Sequence, residues 1–382
     1  MISIVHLITD LDVGGAEMML AKLLRSMDSS RFQNVVVSLT GRGRLGDGIE
    51  AAGVPVHSLD MQRARLDLLA IPKLMRLLKE IRPAILQTWL YHADLLGAAA
   101  TLLGGRSRLV WNVRCSDMDL AHYPWTTRLT LKLLSLGSRI PDVVIVNSQA
   151  GQQFHKRIGY RARRWKTIPN GFDLEKFRPD AAAYLAWREK LNLPQEAILI
   201  GMVSRVDPMK DHATFLDAAR RVAVERSDVA FVLVGKGVYD LDSQIKALGL
   251  SGRVHLLGIR SDIASIIPAF DIFSLTSFGE GFPNVVGEAM ACGVPCVVTD
   301  VGDAALLVGD AGGRVVPPRK AESLARQWLD LIGMGRDARR QLGAAARERI
   351  RTSFDLRSVA RRYERCYEEL AELAIESEQA AG

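Results

Sequence analysis

The sequence predicts an α/β protein built from two doubly wound domains, each with a parallel sheet covered by helices on both faces. Short apolar runs alternate with amphipathic helical patterns along the chain, which is typical of parallel sheets. The alternation stops at the turn residues Pro169, Asn170 and Gly171 and then restarts. The length of 382 residues suits two to three domains of ~100–200 residues each.

The first half contains six runs that we predict to be strands. The first run covers residues 2–8 and is followed by an amphipathic pattern at residues 16–25. Helical patterns separate most of the other runs, notably at residues 72–81 and 93–103. The other predicted strands cover residues 34–39, 54–59, 84–88, 108–113 and 142–147.

The second half repeats the alternation and then becomes helical. From residue 322 to about residue 380 the pattern is helical, and we expect no strand after Val316. We therefore predict domains at residues 1–171 and 172–355, facing each other across a cleft. Ligands in such folds bind at the carboxyl ends of the strands. The predicted strands of this half cover residues 198–203, 230–234, 254–257, 271–275 and 295–299.

The excess of positive over negative charge lies entirely in the first half of the chain. The formal net charge is +7, but residues 1–170 carry +10 and residues 171–382 carry −3. This asymmetry predicts that the first domain faces something anionic, which could be phospholipid, nucleic acid or a phosphorylated substrate.

Cysteine and aspartate patterns give no sign of a disulfide framework or a metal centre. We therefore expect a reducing compartment, no metal and no other cofactor. The Asp-x-Asp pattern is too common here to indicate a metal, since it begins at Asp10, Asp117 and Asp240. The four cysteines are Cys115, Cys292, Cys296 and Cys366.

Targeting and membrane-spanning signals are not recognisable in the sequence. The first residues lack the basic segment and cleavage site of a signal peptide. The longest apolar stretch, near residues 95–105, is shorter than the ~20 residues that a membrane span needs. We expect a cytoplasmic protein.

The strongest functional signal is the segment 274–303, SLTSFGEGFPNVVGEAMACGVPCVVTDVGD. A predicted strand ends in a glycine-rich turn that contains Glu280, and a helix that opens near Asn284 carries Glu288. Glycines on both sides of Glu280 let backbone N–H groups approach a ligand, and a helix N-terminus attracts anions. Ionised carboxylates accept hydrogen bonds from hydroxyl groups. The pattern therefore predicts a site for a hydroxyl-rich, anionic ligand.

This segment resembles the glutamate-x7-glutamate signature of the family 4 glycosyltransferases, including the flanking GFP, EAMACGxP and TDVG. The resemblance implies the GT-B fold, with two Rossmann-like domains, and retaining transfer of a sugar from a nucleotide diphosphate sugar. It implies that Glu280 contacts hydroxyls of the donor sugar and that Glu288 holds the ribose. The backbone around Gly281, Phe282 and Pro283 is expected to lie against the sugar and phosphates, and Asn284 is expected to contribute to substrate binding.

A second signal follows the predicted strand 198–203. Arg205 and Lys210 lie in one turn with an Asp-Pro bend between them, so both cations could point at the same diphosphate. The turn resembles the Gly-Arg-x4-Lys phosphate loop of the same family, with Ser204 in place of the usual glycine. The resemblance implies that Arg205 and Lys210 stabilise the leaving nucleotide diphosphate.

Four further positions are assigned through the same resemblance. Gly14 and Gly15 join the first strand to the first helix and would bring backbone close to a phosphate or the acceptor. A turn that the fold requires explains this glycine pair equally well. Asn170 would border the cleft, and Ile259 would lie where the nucleotide base meets backbone.

The first domain departs from the family at its histidine motif. Many relatives have His-x-His where this chain has Gln87 and Trp89, and only His92 follows. We interpret His92 as a catalytic residue of the cleft, with local capping or packing as the alternative. The family's front-face route, in which a donor phosphate oxygen takes the acceptor proton, would not require a protein base. Candidates for reading the acceptor follow the next strand: Asn112, Arg114 and Asp117.

A predicted helix at residues 125–136 suggests a binding role for the basic first half of the chain. Arg128 and Lys132 share one face with leucines and Trp125. Together with the basic segment 160–165, this face resembles a surface that docks on anionic lipid. The alternative is a helix packed on its own sheet beside a solvated basic loop. Docking would imply a lipid-linked acceptor for surface polysaccharide assembly and a peripheral location on the inner face of the membrane.

Two other functions remain as alternatives. A nucleotide-sugar epimerase or hydrolase of the same fold would act without an acceptor. A basic nucleic-acid-binding module is disfavoured, because aromatic residues are scarce among the basic segments.

The resemblance also implies that the last helix, residues 356–382, crosses back to the first domain.

Overall fold

The chain consists of two compact units, each with its own parallel sheet. The structure is a computed structural model that describes residues 1–62, 69–114, 125–310 and 312–379. Unit 1 contains Met1–Gly171 and the C-terminal helix from Leu356, and unit 2 contains Phe172–Asp355. The predicted α/β class with two parallel, doubly wound sheets is confirmed.

The sheet of unit 1 has seven parallel strands. They are β1 Ile2–Ile8, β2 Phe32–Ser38, β3 Val56–Ser58, β4 Ile85–Trp89, β5 Arg108–Val113, β6 Val143–Val146 and β7 Trp165–Thr167. Their order in the sheet is β3-β2-β1-β4-β5-β6-β7. The winding direction reverses between β1 and β4, and ligands bind at such a switch point. The sequence analysis missed β7, whose three residues are too few to show an apolar period.

Helices cover this sheet, and the C-terminal helix packs into the same core. The helices are α1 Gly15–Ser26, α2 Gly46–Glu50, α3 Ala70–Ile81, α4 Tyr91–Leu102, α5 Trp125–Gly137, α6 Gln149–Arg157 and, at the end of the chain, α15 Leu356–Gln379. Tyr363 and Tyr367 of α15 are fully buried. The Tyr367 hydroxyl donates to Oε1 of Gln87 on β4 at 2.7 Å, so α15 is bonded directly to the sheet of unit 1.

The sheet of unit 2 has six parallel strands. They are β8 Ile198–Val203, β9 Val229–Val234, β10 Val254–Leu256, β11 Ile272–Leu275, β12 Cys296–Thr299 and β13 Gly313–Val316. Their order is β10-β9-β8-β11-β12-β13, so the switch point lies between β8 and β11. All six residues of β9 are buried, as expected for a strand covered on both faces.

Eight helices of unit 2 surround this sheet in the described part of the chain. They are α7 Ala181–Lys190, α8 His212–Glu225, α9 Asp242–Ala247, α10 Ile263–Ile266, α11 Asn284–Ala291, α12 Ala304–Val308, α13 Ala321–Gly333 and α14 Gly335–Ser353. The helical end predicted from residue 322 is thus three helices, α13, α14 and α15, with breaks at Met334 and at residues 354–355. None of the described helices combines the length and apolar character needed to cross a membrane.

Candidate active site

The two motif loops of unit 2 are bonded to each other at the switch point. The Phe278 backbone N–H donates to the carbonyl oxygen of Met209 at 2.9 Å. The Thr276 hydroxyl donates to the carbonyl oxygens of Lys210 and Asp211 at 2.9 and 3.0 Å. These bonds hold the loop after β8 beside the loop after β11, because β8 and β11 are neighbours in the sheet.

Lys210 and Glu280, predicted from separate motifs, meet in this site. The ammonium group of Lys210 forms an ion pair with Oε1 of Glu280, and the Ser277 hydroxyl donates to the same oxygen at 2.7 Å. The side chains of Lys210 and Glu280 are 21% and 12% exposed. Salt screens such partly buried charges less than surface charges, so the attraction between them is weakened little at physiological salt.

Arg205 is placed differently from Lys210. Its Nε and Nη2 donate to Oδ2 of Asp207 at 3.2 and 2.9 Å, and its side chain is 66% exposed. Although partial burial acts in the opposite direction, hydrogen bonds from the Met209 N–H and from Arg205 lower the pKa of Asp207. The two predicted phosphate-binding cations are therefore paired with different carboxylates here and do not converge.

The turn that carries Glu280 is fixed by the turn that follows β12. Gly302 has φ +56°, and a Cβ at this position would lie 2.2 Å from the carbonyl oxygen of Glu280. The Asp303 N–H donates to the carbonyl oxygen of Gly281 at 2.9 Å. Only glycine allows this close approach. The backbone at Glu280 and Gly281 is therefore packed and hydrogen-bonded against the turn after β12.

The rest of the motif forms the start of α11. Phe282 and Pro283 are buried, and the Phe282 ring stacks on Phe172 with centroids 6.2 Å apart. The helix begins at Asn284, and Glu288 is half-buried one turn later. Residues four apart share a helix face, so Asn284 and Glu288 lie on the same side of α11.

The loop predicted to meet the base lies at the same edge of the sheet. Ile259 is 76% exposed, and the carbonyl oxygen of its neighbour Gly258 accepts from the Gly235 N–H at 2.7 Å. Gly235 has φ +147°, and a Cβ there would lie 2.0 Å from the carbonyl oxygen of Ser204. The loops after β8, β9 and β10 are therefore adjacent.

In unit 1, Arg114 is held at the end of β5 by uncharged groups. Its Nη1 donates to Oδ1 of Asn112 and to the Tyr363 hydroxyl, both at 3.2 Å, and its Nη2 donates to Oδ1 of Asn170. The guanidinium carbon lies 5.1 Å from the centre of the Trp89 ring. The structure thus brings together the predicted residues Arg114, Asn112 and Asn170.

Gly14 and Gly15 lie at the start of α1 next to a buried carboxyl group. Glu17 is 7% exposed, and a Cβ on Gly14 would lie 2.2 Å from its Oε2. Burial raises the pKa of Glu17 above its ordinary value, whereas Arg114 acts in the opposite direction. The glycine turn therefore packs against Glu17.

His92 is exposed in the first turn of α4, at the switch point of unit 1. Two residues later Asp94 is fully buried, and the Thr88 hydroxyl donates to its Oδ1 at 2.5 Å. Burial raises the pKa of Asp94 to about 8, against the effect of that hydrogen bond. Leu90, just before the helix, has φ +73°, a conformation that is rare and costly for leucine. The buried hydrogen bond between Thr88 and Asp94 therefore ties the turn that presents His92 to β4.

Three residues in contact with these sites were missed by the sequence analysis. Ser277 lies three positions before Glu280, and Glu17 follows the Gly-Gly pair directly, so their motifs could have indicated both. Tyr363 contacts Arg114 across 249 positions of the chain. No local pattern could have identified Tyr363.

The structure describes only some of the residues named in the metal and cysteine predictions. Cys115, Asp117 and Asp119 lie outside the described residues. In the described ranges, no group of three or more His, Cys, Asp or Glu side chains could hold a metal ion. Cys292, Cys296 and Cys366 are buried thiols.

Two family models and a characterised relative match the chain. The model described as Glycosyltransferase Family 4 matches residues 13–176, and the model described as Glycosyl transferases group 1 matches residues 184–349. The UDP-Gal:alpha-D-GlcNAc-diphosphoundecaprenol alpha-1,3-galactosyltransferase of Escherichia coli is 28% identical over 274 residues, which is 67% of this chain and 68% of the relative.

Solved structures of similar proteins match nearly the whole chain. Anabaena Alr3699/HepE in complex with UDP matches with a TM-score of 0.84 at 26% identity, over 96% of this chain and 100% of that one. Its complex with UDP-glucose matches with a TM-score of 0.80 at 26% identity, over 97% and 100%. The two motif loops of unit 2 and these matches confirm the predicted family: the chain belongs to the family 4 glycosyltransferases and is an enzyme with the GT-B fold.

Proposed function

We propose that this glycosyltransferase moves a hexose from a nucleotide diphosphate sugar to a hydroxyl of a lipid-linked acceptor, with retention of anomeric configuration. The observation that carries the proposal is the meeting of Lys210 with Glu280 at the switch point of unit 2. A cation and a carboxylate match the two parts of such a donor, the diphosphate and the sugar hydroxyls. Support comes from the UDP-glucose complex of the Anabaena protein and from the diphosphoundecaprenol acceptor in the name of the E. coli relative.

Lys210 and Arg205 would bind the donor diphosphate. Lys210 would exchange its contact with Glu280 for a phosphate oxygen, and the exposed Arg205 would swing from Asp207 to add a second charge. Negative charge grows on the diphosphate as its bond to the anomeric carbon breaks. Once both cations contact the diphosphate, they stabilise that charge as it develops.

The remaining residues of unit 2 would position the donor. Glu280 would accept hydrogen bonds from the sugar hydroxyls, with the Gly281 backbone and the buried Phe282–Pro283 turn behind it. Asn284 and Glu288 share a face of α11, and we assign Glu288 to the ribose hydroxyls. Exposed backbone at Ile259 would meet the base.

The acceptor is assigned to unit 1. The bonded partners of Arg114 are neutral groups, so its guanidinium suits a phosphate group near the acceptor sugar. Gly14, Gly15 and His92 lie at the switch point, where the attacking hydroxyl would be oriented. The acceptor oxygen bonds to the anomeric carbon, the bond to the phosphate oxygen breaks, and that oxygen takes the hydroxyl proton.

Transfer, unlike hydrolysis or epimerisation, requires an acceptor. We expect nucleoside diphosphate release from the donor to depend on adding a polyprenyl-diphosphate-linked sugar, and the new linkage to keep the donor's anomeric configuration. Nucleotide release assays and NMR of the product measure both. Rapid donor consumption without an acceptor would favour the hydrolase or epimerase alternative, and an inverted product would refute retention.

We also propose that α5 docks on an anionic membrane. Arg128 and Lys132 of this helix are exposed among apolar side chains, whereas Leu131 and Leu134 are buried. The helix can therefore pack on the sheet and still present a second apolar face, because the exposed positions repeat every three or four residues. Its exposed apolar side chains are Trp125, Leu129, Leu133 and Leu136, at 68%, 46%, 45% and 77%.

Vesicle binding tests this surface. The wild type should bind phosphatidylglycerol-rich vesicles at low salt, and the Leu129→Ser/Leu133→Ser variant should lose binding because buried apolar area is lost. Arg128→Gln/Lys132→Gln should lose the preference for anionic lipid, at about 1 kcal/mol per charge. Leu185→Ser, an equally exposed leucine of unit 2, is the control. Equal wild-type binding to neutral vesicles would contradict the proposal.

A further inference from the structure

A cavity of about 230 Å³ lies in unit 2, away from the motif loops. Its wall includes Asp271, just before β11, and Pro295, just before β12. The cavity is therefore at the amino ends of these strands, whereas Glu280 follows the carboxyl end of β11. A ligand here would be separated from the donor site by the length of the strands.

Three arginines of α14 line this cavity: Arg336, Arg339 and Arg340. Arg339 and Arg340 lie three and four residues after Arg336, so each shares a side of the helix with it. Arg339 is only 6% exposed, and its Nη1 donates to the carbonyl oxygens of Leu331 and Ile332 at 3.2 and 3.0 Å. In the described part of the chain, none of the three guanidinium groups is ion-paired with a carboxylate. Asp271 offsets part of the cost of burying the Arg339 charge, and a bound anion would offset more of it.

Two carboxylates also border the cavity, and both are engaged in the fold. Asp271 pairs with Arg188, and its Oδ2 also accepts from the Leu199 N–H at 2.8 Å. Asp180 caps α7 by accepting from the Ala183 N–H at 2.9 Å. Arg188 and the three lining arginines give four positive charges beside these two carboxylates, so positive charge is in excess.

We propose that this cavity binds a small phosphorylated ligand, a phosphate monoester or a diphosphate, separate from the sugar donor. Guanidinium forks match phosphate oxygens in geometry as well as in charge. The Tyr184 ring, 5.7 Å from the guanidinium carbon of Arg336, provides an apolar wall beside them. The volume is below the ~300–1,000 Å³ of pockets for drug-sized ligands, so the ligand is compact.

Inorganic pyrophosphate is the first probe, with orthophosphate and a hexose phosphate beside it. Since pyrophosphate could also bind at the donor site, calorimetric titration should use Arg205→Ala/Lys210→Ala as the parent. We expect this parent to bind at least one probe, and the added pair Arg336→Gln/Arg340→Gln to weaken binding ~10-fold or more, as for the loss of charge-assisted bonds. Arg326→Gln/Arg351→Gln, exposed arginines elsewhere on α13 and α14, is the charge-matched control and should bind like the parent.

A second variant tests the same cavity without removing any arginine. Ala181→Glu places a carboxylate at the exposed first residue of α7, where an acidic side chain favours the helix, and should also abolish binding. Melting curves check that each variant is folded. The proposal is overturned if no probe binds the parent, or if the affinity of folded Arg336→Gln/Arg340→Gln and Ala181→Glu variants is unchanged.

Discussion

Lys210→Ala should slow sugar transfer by ~10²–10³-fold, the usual cost of removing a fixed group that stabilises developing charge. The Lys210 side chain is 21% exposed, and once it has exchanged Glu280 for the donor phosphate its charge is in place when the diphosphate leaves. Because this charge acts mainly as the bond breaks, kcat and kcat/KM should fall together. Steady-state kinetics with saturating acceptor measures both constants.

Lys246→Ala is the matched control for this variant. Lys246 also pairs with an acidic residue, Asp242, at 2.5 Å, but its side chain is 66% exposed on α9. We expect Lys246→Ala to turn over like the wild type. A folded Lys210→Ala enzyme with wild-type kcat would show that Lys210 does not stabilise the leaving group.

Arg188→Ala should destabilise the protein by ~3–5 kcal/mol, as expected when one partner of a buried ion pair is removed. The side chains of Arg188 and Asp271 are 3% and 10% exposed. Arg188 also donates to the carbonyl oxygen of Ala197 at 2.5 Å. Its removal leaves the buried Asp271 carboxylate without its ion-pair partner and this carbonyl without its donor, so the free energy of unfolding falls. Urea unfolding followed by circular dichroism measures the loss.

Two comparisons separate the buried pair from an ordinary surface pair. Arg226→Ala breaks a pair with Asp228 in which both side chains are 41% exposed, and should cost at most ~1 kcal/mol. Arg188→Met combined with Asp271→Leu should recover much of the loss, because no buried charge remains. If Arg188→Ala costs no more than Arg226→Ala, the pair does not stabilise the fold as argued.

The sequence could predict the sheets and the position of the two motif loops because burial on both faces gives parallel strands near-continuous apolar runs. Glu280 and Lys210 each follow such a strand, and the strand order makes them neighbours although they are 70 positions apart. β7 was missed because three residues, Trp165–Thr167, carry too little pattern.

Side-chain partners were harder to predict than backbone positions. Arg205 could have pointed with Lys210 at one anion, yet it pairs with Asp207, two residues away, because its Nε and Nη2 both reach Oδ2 of this neighbour. Tyr363 reaches Arg114 only because α15 packs on the sheet of unit 1. Tertiary packing decides such contacts, and no local pattern records them.

The most direct test of the donor site is thermal stabilisation by UDP-, GDP- and ADP-hexoses, with the wild type and Arg205→Ala/Lys210→Ala compared. A ligand at ~100 times its dissociation constant stabilises the folded state by ~2.7 kcal/mol, which a melting curve resolves. We predict that one nucleotide class stabilises the wild type and fails to stabilise the double variant. No stabilisation by any nucleotide sugar, or equal stabilisation of both proteins, would contradict a donor site built on Lys210 and Glu280.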